Sequence, residues 1–356
     1  MSVHLISAQE AMARLDQFDA VLDARSEGEY ALDHLPRAEN WPSLRDEERV
    51  RVGTLYKQVS PFEAQKVGAA LVAQNIARHI QTHLMDKPKH WQPLIYCWRG
   101  GKRSNSLALI LGQIGFKVHL IEGGYKAFRR ALVDDMAPRV QRLQFRVLCG
   151  PTGVGKTRLL QALSGLGAQV LDLEALASHR SSVLGIIPGH PQPTQKAFET
   201  QLWDQLRRFD PAQPVYVEAE SKKVGNLSVP EPLMTAMRSS ACHRLEMDLP
   251  HRVQLLLEDY AYFSEQPQLF MERLERLADL KGRAVIDGWL DMIRQGQMSQ
   301  VVADLLEKHY DPGYEVSTRR NFIHYAQAPE LALSGPDPQA MQAAARQLVD
   351  STRSMA

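Results

Sequence analysis

The octapeptide Gly150-Pro151-Thr152-Gly153-Val154-Gly155-Lys156-Thr157 fits the pattern G-x-x-x-x-G-K-[ST] without a mismatch, and no other stretch constrains the fold as much. The pattern works only as a turn from a strand into a helix. Phe145-Arg146-Val147-Leu148-Cys149 reads as the strand, and Leu159, Leu160, Leu163 and Leu166 recur at helical spacing behind it. In such a turn the backbone around Gly150, Thr152, Gly153, Val154 and Gly155 cradles a diphosphate at a helix N-terminus. Lys156 reaches the outer phosphate and the Thr157 hydroxyl can serve a magnesium ion. The loop itself does not say whether the diphosphate belongs to a nucleotide. Strand candidates at 168–172, 214–218 and 244–248 alternate with helical patterns, the sign of a parallel α/β sheet. Carboxyl ends of parallel strands face the ligand crevice. Asp172, Glu218 (where a Walker-B-like carboxylate would lie) and Arg252 are therefore candidates for the shell of this site. The stretch 253–308 reads as mostly helical.

A second strand–loop–helix site precedes it. Tyr96-Cys97-Trp98-Arg99-Gly100-Gly101-Lys102-Arg103-Ser104 places one thiol at the end of the apolar run Pro93-Leu94-Ile95-Tyr96. The thiolate is the nucleophilic form, and adjacent cations such as Arg99, Lys102 and Arg103 favour it. Gly100 and Gly101 let successive N–H groups curl around an anion. Ser104 opens the helical run Leu107-Ala108-Leu109-Ile110-Leu111, which puts the cradle at a helix N-terminus. Cys149 and Cys242 sit in strand-like contexts and read as small core residues.

At 356 residues the chain is predicted to form two α/β domains, 1–138 and 139–356, the second with a helical C-terminal part. A helix over 127–133 is expected to be broken by Met136-Ala137-Pro138 at the boundary. A helix start is read at Ser60-Pro61-Phe62-Glu63. A net charge of +1 excludes binding of nucleic acid by bulk charge, though not a folded RNA. Arg129, Arg130, Arg139, Arg142 and Arg146 crowd the junction between the two motif regions and form the candidate phosphate-gripping surface. Lys222-Lys223 and Arg319-Arg320 are lesser pairs. Neither a signal peptide nor a membrane-length apolar run is read, so a cytoplasmic setting with reduced thiols and no membrane partner is expected. The histidines show no ligand spacing, and no metal is assigned to them.

Val21-Leu22-Asp23-Ala24-Arg25-Ser26-Glu27-Gly28-Glu29-Tyr30, followed by His34-Leu35-Pro36-Arg37-Ala38-Glu39-Asn40, resembles the opening signature of rhodanese domains. Val118-His119-Leu120-Ile121-Glu122-Gly123-Gly124-Tyr125 resembles their closing signature. Cys97 stands where rhodaneses carry sulfur as a persulfide. Arg103 lies six residues after Cys97, one more than in the usual sulfurtransferase loop and similar to the phosphatase relatives. A loop that admits a phosphorus-bearing chalcogen donor would have this length.

The order of the two sites, with Val52-Gly53-Thr54-Leu55-Tyr56-Lys57-Gln58, Asp172-Leu173-Glu174 and Gln195-Lys196-Ala197-Phe198-Glu199, resembles the tRNA 2-selenouridine synthases over nearly the whole chain. The resemblance implies a cytoplasmic enzyme acting on a wobble 2-thiouridine of tRNA. It would transfer geranyl from geranyl diphosphate to the 2-thio sulfur at the P-loop. It would then replace S-geranyl with selenium from selenophosphate, which a selenophosphate-supplying enzyme would deliver. Cys97, Arg103 and Lys156 would be catalytic. Trp98, Arg99, Gly100, Gly101, Lys102 and Ser104 would hold selenophosphate. A thiocarbonyl sulfur leaves poorly; alkylation turns it into a good leaving group, and selenium held on Cys97 as a selenylsulfide would be a soft nucleophile. Three other classes fit the motifs: an ATP-dependent tRNA sulfurtransferase or rhodanese–kinase fusion, a non-catalytic persulfide carrier or RNA-binding module, and a rhodanese-like phosphatase.

Overall fold

Five strands of the first half, Val3–Ile6 (β1), Ala20–Asp23 (β2), Ala38–Asn40 (β3), Pro93–Tyr96 (β4) and Val118–Ile121 (β5), form a parallel sheet in the order β1-β5-β4-β2-β3. They belong to a computed structural model that describes residues 3–180, 182 and 185–353. Every residue of β2, β4 and β5 is buried, as parallel strands covered on both faces require. Asp23 pairs in register with Tyr96, so the ends of β2 and β4 open on the same edge.

The opening signature acts there as a clamp. Arg25 is buried and donates to both carboxylate oxygens of Asp23, at 3.0 and 2.6 Å, and to the Asp33 carbonyl at 2.6 Å. The Tyr96 hydroxyl donates to Asp23 at 2.7 Å and accepts the Leu35 N–H at 3.1 Å. Losing one partner of such a buried pair typically costs about 3–5 kcal/mol. The clamp holds the residue before Cys97 in place.

Contacts divide the chain into two units, Met1–Pro138 with Pro193–Asp204, and Arg139–Gln192 with Gln205–Ala356. The boundary after Pro138 falls inside one continuous helix, Gly124–Gln141, where a short helix broken at 136–138 was expected. Pro138 removes a single N–H near the helix end, and Met136 and Val140 on either side of it are buried. The second departure is the helix Gln195–Leu206. Its residues up to Asp204 pack in the first unit, and Phe198, Leu202 and Trp203 are completely buried. The Trp203 ring meets Phe128 edge-on and its Nε1 donates to Asp135 at 2.8 Å. Thr200 donates to Asp33, and Glu199 forms an ion pair with Arg129.

The second unit holds Gln144–Cys149 (β6), Gln169–Leu171 (β7), Pro214–Glu218 (β8), a small hairpin Lys223–Val224 (β9) and Leu227–Ser228 (β10), Ala241–Glu246 (β11) and Glu330–Ala332 (β12). Its main sheet is parallel in the order β12-β11-β6-β8-β7. β11 begins three residues before the expected 244–248 because Ala241–Arg244 pair with Arg146–Cys149. Asp248 has already left the strand, and its carboxylate caps the next helix, Leu249–Asp259, through the His251 N–H at 3.0 Å. The helix Pro338–Arg353 packs Met341, Ala344, Ala345 and Leu348 on Leu159, Leu160 and Leu163 behind the P-loop. The helices between Leu249 and Asn321 carry a core of their own around Phe263, Phe270, Trp289 and Ile293.

Candidate functional site

Cys97 follows directly on β4 and is 3% exposed. The Gly101 N–H donates to its Sγ at 3.3 Å. The single Ser104 hydroxyl proton is shared between that Sγ at 3.0 Å and the Gly101 carbonyl at 3.2 Å. These are the bonds a thiolate accepts, and they come from the first turn of the helix Lys102–Ile114. The closing signature supports the loop from below. Tyr125 N–H donates to the Cys97 carbonyl at 2.8 Å, and Lys126 N–H to that of Trp98 at 3.1 Å. Gly124 has φ +59°, and a Cβ there would lie 2.3 Å from the Cys97 carbonyl oxygen, so only glycine fits. Trp98 stacks on Tyr125.

Arg103 does not point at the sulfur. Its guanidinium is bonded to Glu29 at 2.6 Å, and Glu29 also accepts the Ser26 N–H at 3.2 Å. Burial alone would raise the Glu29 carboxyl, but the bonds and charge of Arg103 hold it below its ordinary value. Arg99 and Lys102 are the exposed cations at the mouth of the loop.

At the P-loop, Lys156 Nζ lies back on the loop's own carbonyls, 2.7 Å from Gly150. Gly153 and Gly155 have φ of +80° and +87°, the left-handed geometry that turns N–H groups inward. Thr157 Oγ1 donates to Glu174 at 3.3 Å, and Asp172 caps the helix Leu173–Ala177 through the Ala175 N–H at 2.8 Å. Glu218 Oε1 accepts the N–H groups of Leu173 at 2.7 Å and Glu174 at 3.1 Å, whereas its Oε2 is buried without a partner. Arg252 holds the loop from behind, donating to the Thr152 carbonyl at 2.7 Å and pairing with Asp311 at 2.6 Å. Thr152, Gly153, Gly155, Lys156, Thr157, Asp172 and Glu174 border a cleft of about 530 Å³, which Glu218 and Arg252 support without lining it. Three further cleft residues had no signal in a local motif: Arg238, Tyr260 and Tyr314. The Tyr314 hydroxyl accepts the Gly150 N–H at 2.5 Å.

Residues 143–275 match the family described as the tRNA 2-selenouridine synthase AAA domain, and residues 7–131 match the rhodanese-like domain. A tRNA 2-selenouridine synthase of Alcanivorax borkumensis is 35% identical over 319 residues, 85% of each chain. The chain belongs to the tRNA 2-selenouridine synthase family. The relative from Marinobacter nauticus is 37% identical over 243 residues, 67% of this chain and 65% of that one. Among solved structures, a rhodanese-related protein of Thermoplasma volcanium aligns with 36% of this chain and 92% of its own at 15% identity, with a TM-score of 0.24.

In this family member the five candidate RNA-gripping arginines differ in their surroundings, and Arg146 is half-buried with its guanidinium on the Phe145 carbonyl at 3.3 Å. Arg129 has a side chain only 14% exposed, paired with Glu199 and bonded to Thr200 at 3.4 Å. Arg130 and Arg142 are exposed, and Arg139 is half-buried. Among the described residues no group of three or more His, Cys, Asp or Glu side chains is arranged to hold a metal ion. No described helix is long and apolar enough to cross a membrane.

Glu218 yields a testable sign. Burial, and then the neighbouring carboxylates of Asp172, Glu220 and Glu174, push its carboxyl well above the ordinary value of 4.5. A carboxyl raised in the fold contributes stability below its unfolded value and loses that contribution as pH rises through the folded one. Glu218→Gln, which keeps an oxygen for the two N–H groups, should therefore remove a fall in stability above about pH 4.5. Thermal melting of both proteins between about pH 5 and pH 8 measures this. Parallel curves would mean that Glu218 is ionised in the fold.

Proposed function

We propose that this chain modifies the 2-thio group of a wobble uridine in tRNA in the cytoplasm, in two steps. Geranyl diphosphate alkylates the sulfur at the P-loop, and selenium from selenophosphate then replaces the S-geranyl group at the Cys97 loop. One observation carries the first step. An apolar pocket adjoins the P-loop cleft, sharing Thr152, Ser182, Leu256 and Tyr260 with it, and is lined by Leu257, Phe263, Phe270, Val302 and Leu305. Its volume is about 40 Å³, room for part of a prenyl chain, which gains roughly 0.8 kcal/mol per methylene buried there. The pocket therefore favours a prenyl diphosphate over a nucleotide.

In the first step the loop N–H groups bind the diphosphate and Lys156 turns from the Gly150 carbonyl to its oxygens. The sulfur attacks C1 of the geranyl group, the C–O bond breaks, and Lys156 neutralises charge developing on the leaving diphosphate. Thr157 and Glu174 are the oxygens that fit a magnesium ion, which characteristically takes one or two carboxylates and completes its shell with phosphate and water. The second step is redox-neutral overall: selenium keeps the oxidation level it has in selenophosphate, water takes the phosphoryl group to give phosphate, and geranylthiol leaves. The Gly101 and Ser104 donors on Cys97 Sγ, with Arg99 and Lys102 at the mouth, suit an anionic donor.

The test incubates purified protein with thiolated tRNA and geranyl diphosphate, then adds selenophosphate and reads the nucleosides by mass spectrometry. S-geranyl-2-thiouridine followed by 2-selenouridine is expected. ATP hydrolysis that depends on Lys156, without any geranylated nucleoside, would instead support the rhodanese–kinase reading.

A further inference from the structure

Five cations line the P-loop cleft, and four are engaged. Lys156 lies on the Gly150 carbonyl, Arg158 pairs with Glu258 and Asp259, Arg180 donates to the Asp259 carbonyl, and Lys222 pairs with Glu231. Arg238 is the exception. It ends the helix Glu231–Arg238, and its Nε is buried without an acceptor. Among the described residues its guanidinium makes no hydrogen bond or ion pair. A buried charged donor left unbonded destabilises the free protein. Such a group persists where a ligand completes it.

Its position says which ligand. The helix Asp311–Asn321 runs along the cleft and presents Tyr314, Ser317, Thr318 and Asn321, an i, i+3, i+4, i+7 stripe that is polar throughout. Tyr314 marks the diphosphate end, because its hydroxyl bonds Gly150 and its ring lies under Lys156. Arg238 is at the other end, its carbonyl accepting the Ile323 N–H just past that helix. Seven residues of helix separate Tyr314 from Asn321, about 10 Å. The free guanidinium is thus set apart from the diphosphate cradle. The other substrate in the proposed reaction is a polynucleotide, with one phosphate per nucleotide.

We infer that Arg238 clamps a phosphodiester of the acceptor RNA, with the Ser317–Asn321 stripe alongside the nucleotide it presents. This rests on reading the cleft as the place where RNA is prenylated. Arg238 is a substrate-positioning residue of the P-loop cleft, and the guanidinium fork matches two phosphate oxygens in a way an ammonium does not.

The experiment measures binding of thiolated tRNA to wild type, Arg238→Gln and Arg238→Lys by fluorescence anisotropy over a salt series. Geranyl diphosphate binding without RNA is measured by calorimetry. Arg238→Gln should weaken RNA binding about tenfold, the scale of one charge-assisted bond, and flatten the log–log salt slope by about 0.7. Arg238→Lys should restore the slope but only part of the affinity. Melting temperature should not fall in Arg238→Gln, since the substitution removes an unbonded buried charge, and geranyl diphosphate affinity should stay at the wild-type value. Unchanged RNA affinity and slope in Arg238→Gln would overturn the inference. So would loss of geranyl diphosphate binding with RNA binding intact, which would assign the residue to the diphosphate. If wild type does not geranylate tRNA but Arg238→Gln still loses RNA affinity, the clamp stands and the prenyl-transfer reading falls.

Discussion

Replacing Lys156 by alanine should slow geranyl transfer by roughly two to three orders of magnitude, the scale for one main donor to a developing negative charge. The expectation follows from the surroundings of the P-loop. Two of the basic side chains beside the loop have partners: Arg252 holds the Thr152 carbonyl and Asp311, and Arg158 holds Glu258 and Asp259. Neither can turn to the leaving group without breaking an ion pair. Lys156 rests on two backbone carbonyls, which it can exchange for phosphate oxygens at little cost. Single-turnover geranylation followed by mass spectrometry provides the rate. Selenation of tRNA that already carries S-geranyl should be unaffected in the same variant. Equal geranylation rates would show that the P-loop serves something else.

Cys97→Ala should abolish 2-selenouridine formation and leave geranylation near wild type, so that S-geranyl-2-thiouridine accumulates. In alanine the Gly101 N–H loses its acceptor and Ser104 keeps only the Gly101 carbonyl, while the support from the Tyr125 and Lys126 N–H groups to the Cys97 and Trp98 carbonyls is made by backbone and survives. The variant should therefore fold and fail only in the selenium step. Normal selenation by the alanine variant would remove Cys97 from the chemistry.

Both cradles were legible in the sequence because each is a run of fewer than ten residues whose chemistry is local: glycines, a cation and a following helix. The partners that tune them were not. Arg103 pairs with a carboxylate 74 residues away, and Gly150 meets a tyrosine 164 residues away. Spacing inside one motif carries no information about such contacts. The apolar pocket was illegible for the same reason, since Leu256, Phe270 and Leu305 are ordinary core residues until their helices are packed. The polar stripe Tyr314, Ser317, Thr318 and Asn321 does stand at helical spacing, in a segment beyond the stretch read as helical and noted only for its arginine pair. The helix through Pro138 was missed because a proline near a helix end breaks one bond rather than the helix.

The return of residues 193–204 to the first unit bears on how the chain is made. On the ribosome the first 138 residues emerge long before Phe198, Leu202 and Trp203, which cover Phe128 and bring Thr200 to Asp33, 167 residues upstream. Until then the nascent first unit exposes the apolar bed of that helix. Its completion waits on a long loop closure, a slow event that favours help from a chaperone. A gene fragment ending at 138 would encode a protein with this bed permanently open, and a fragment starting at 139 would carry an apolar helix with nothing to cover it.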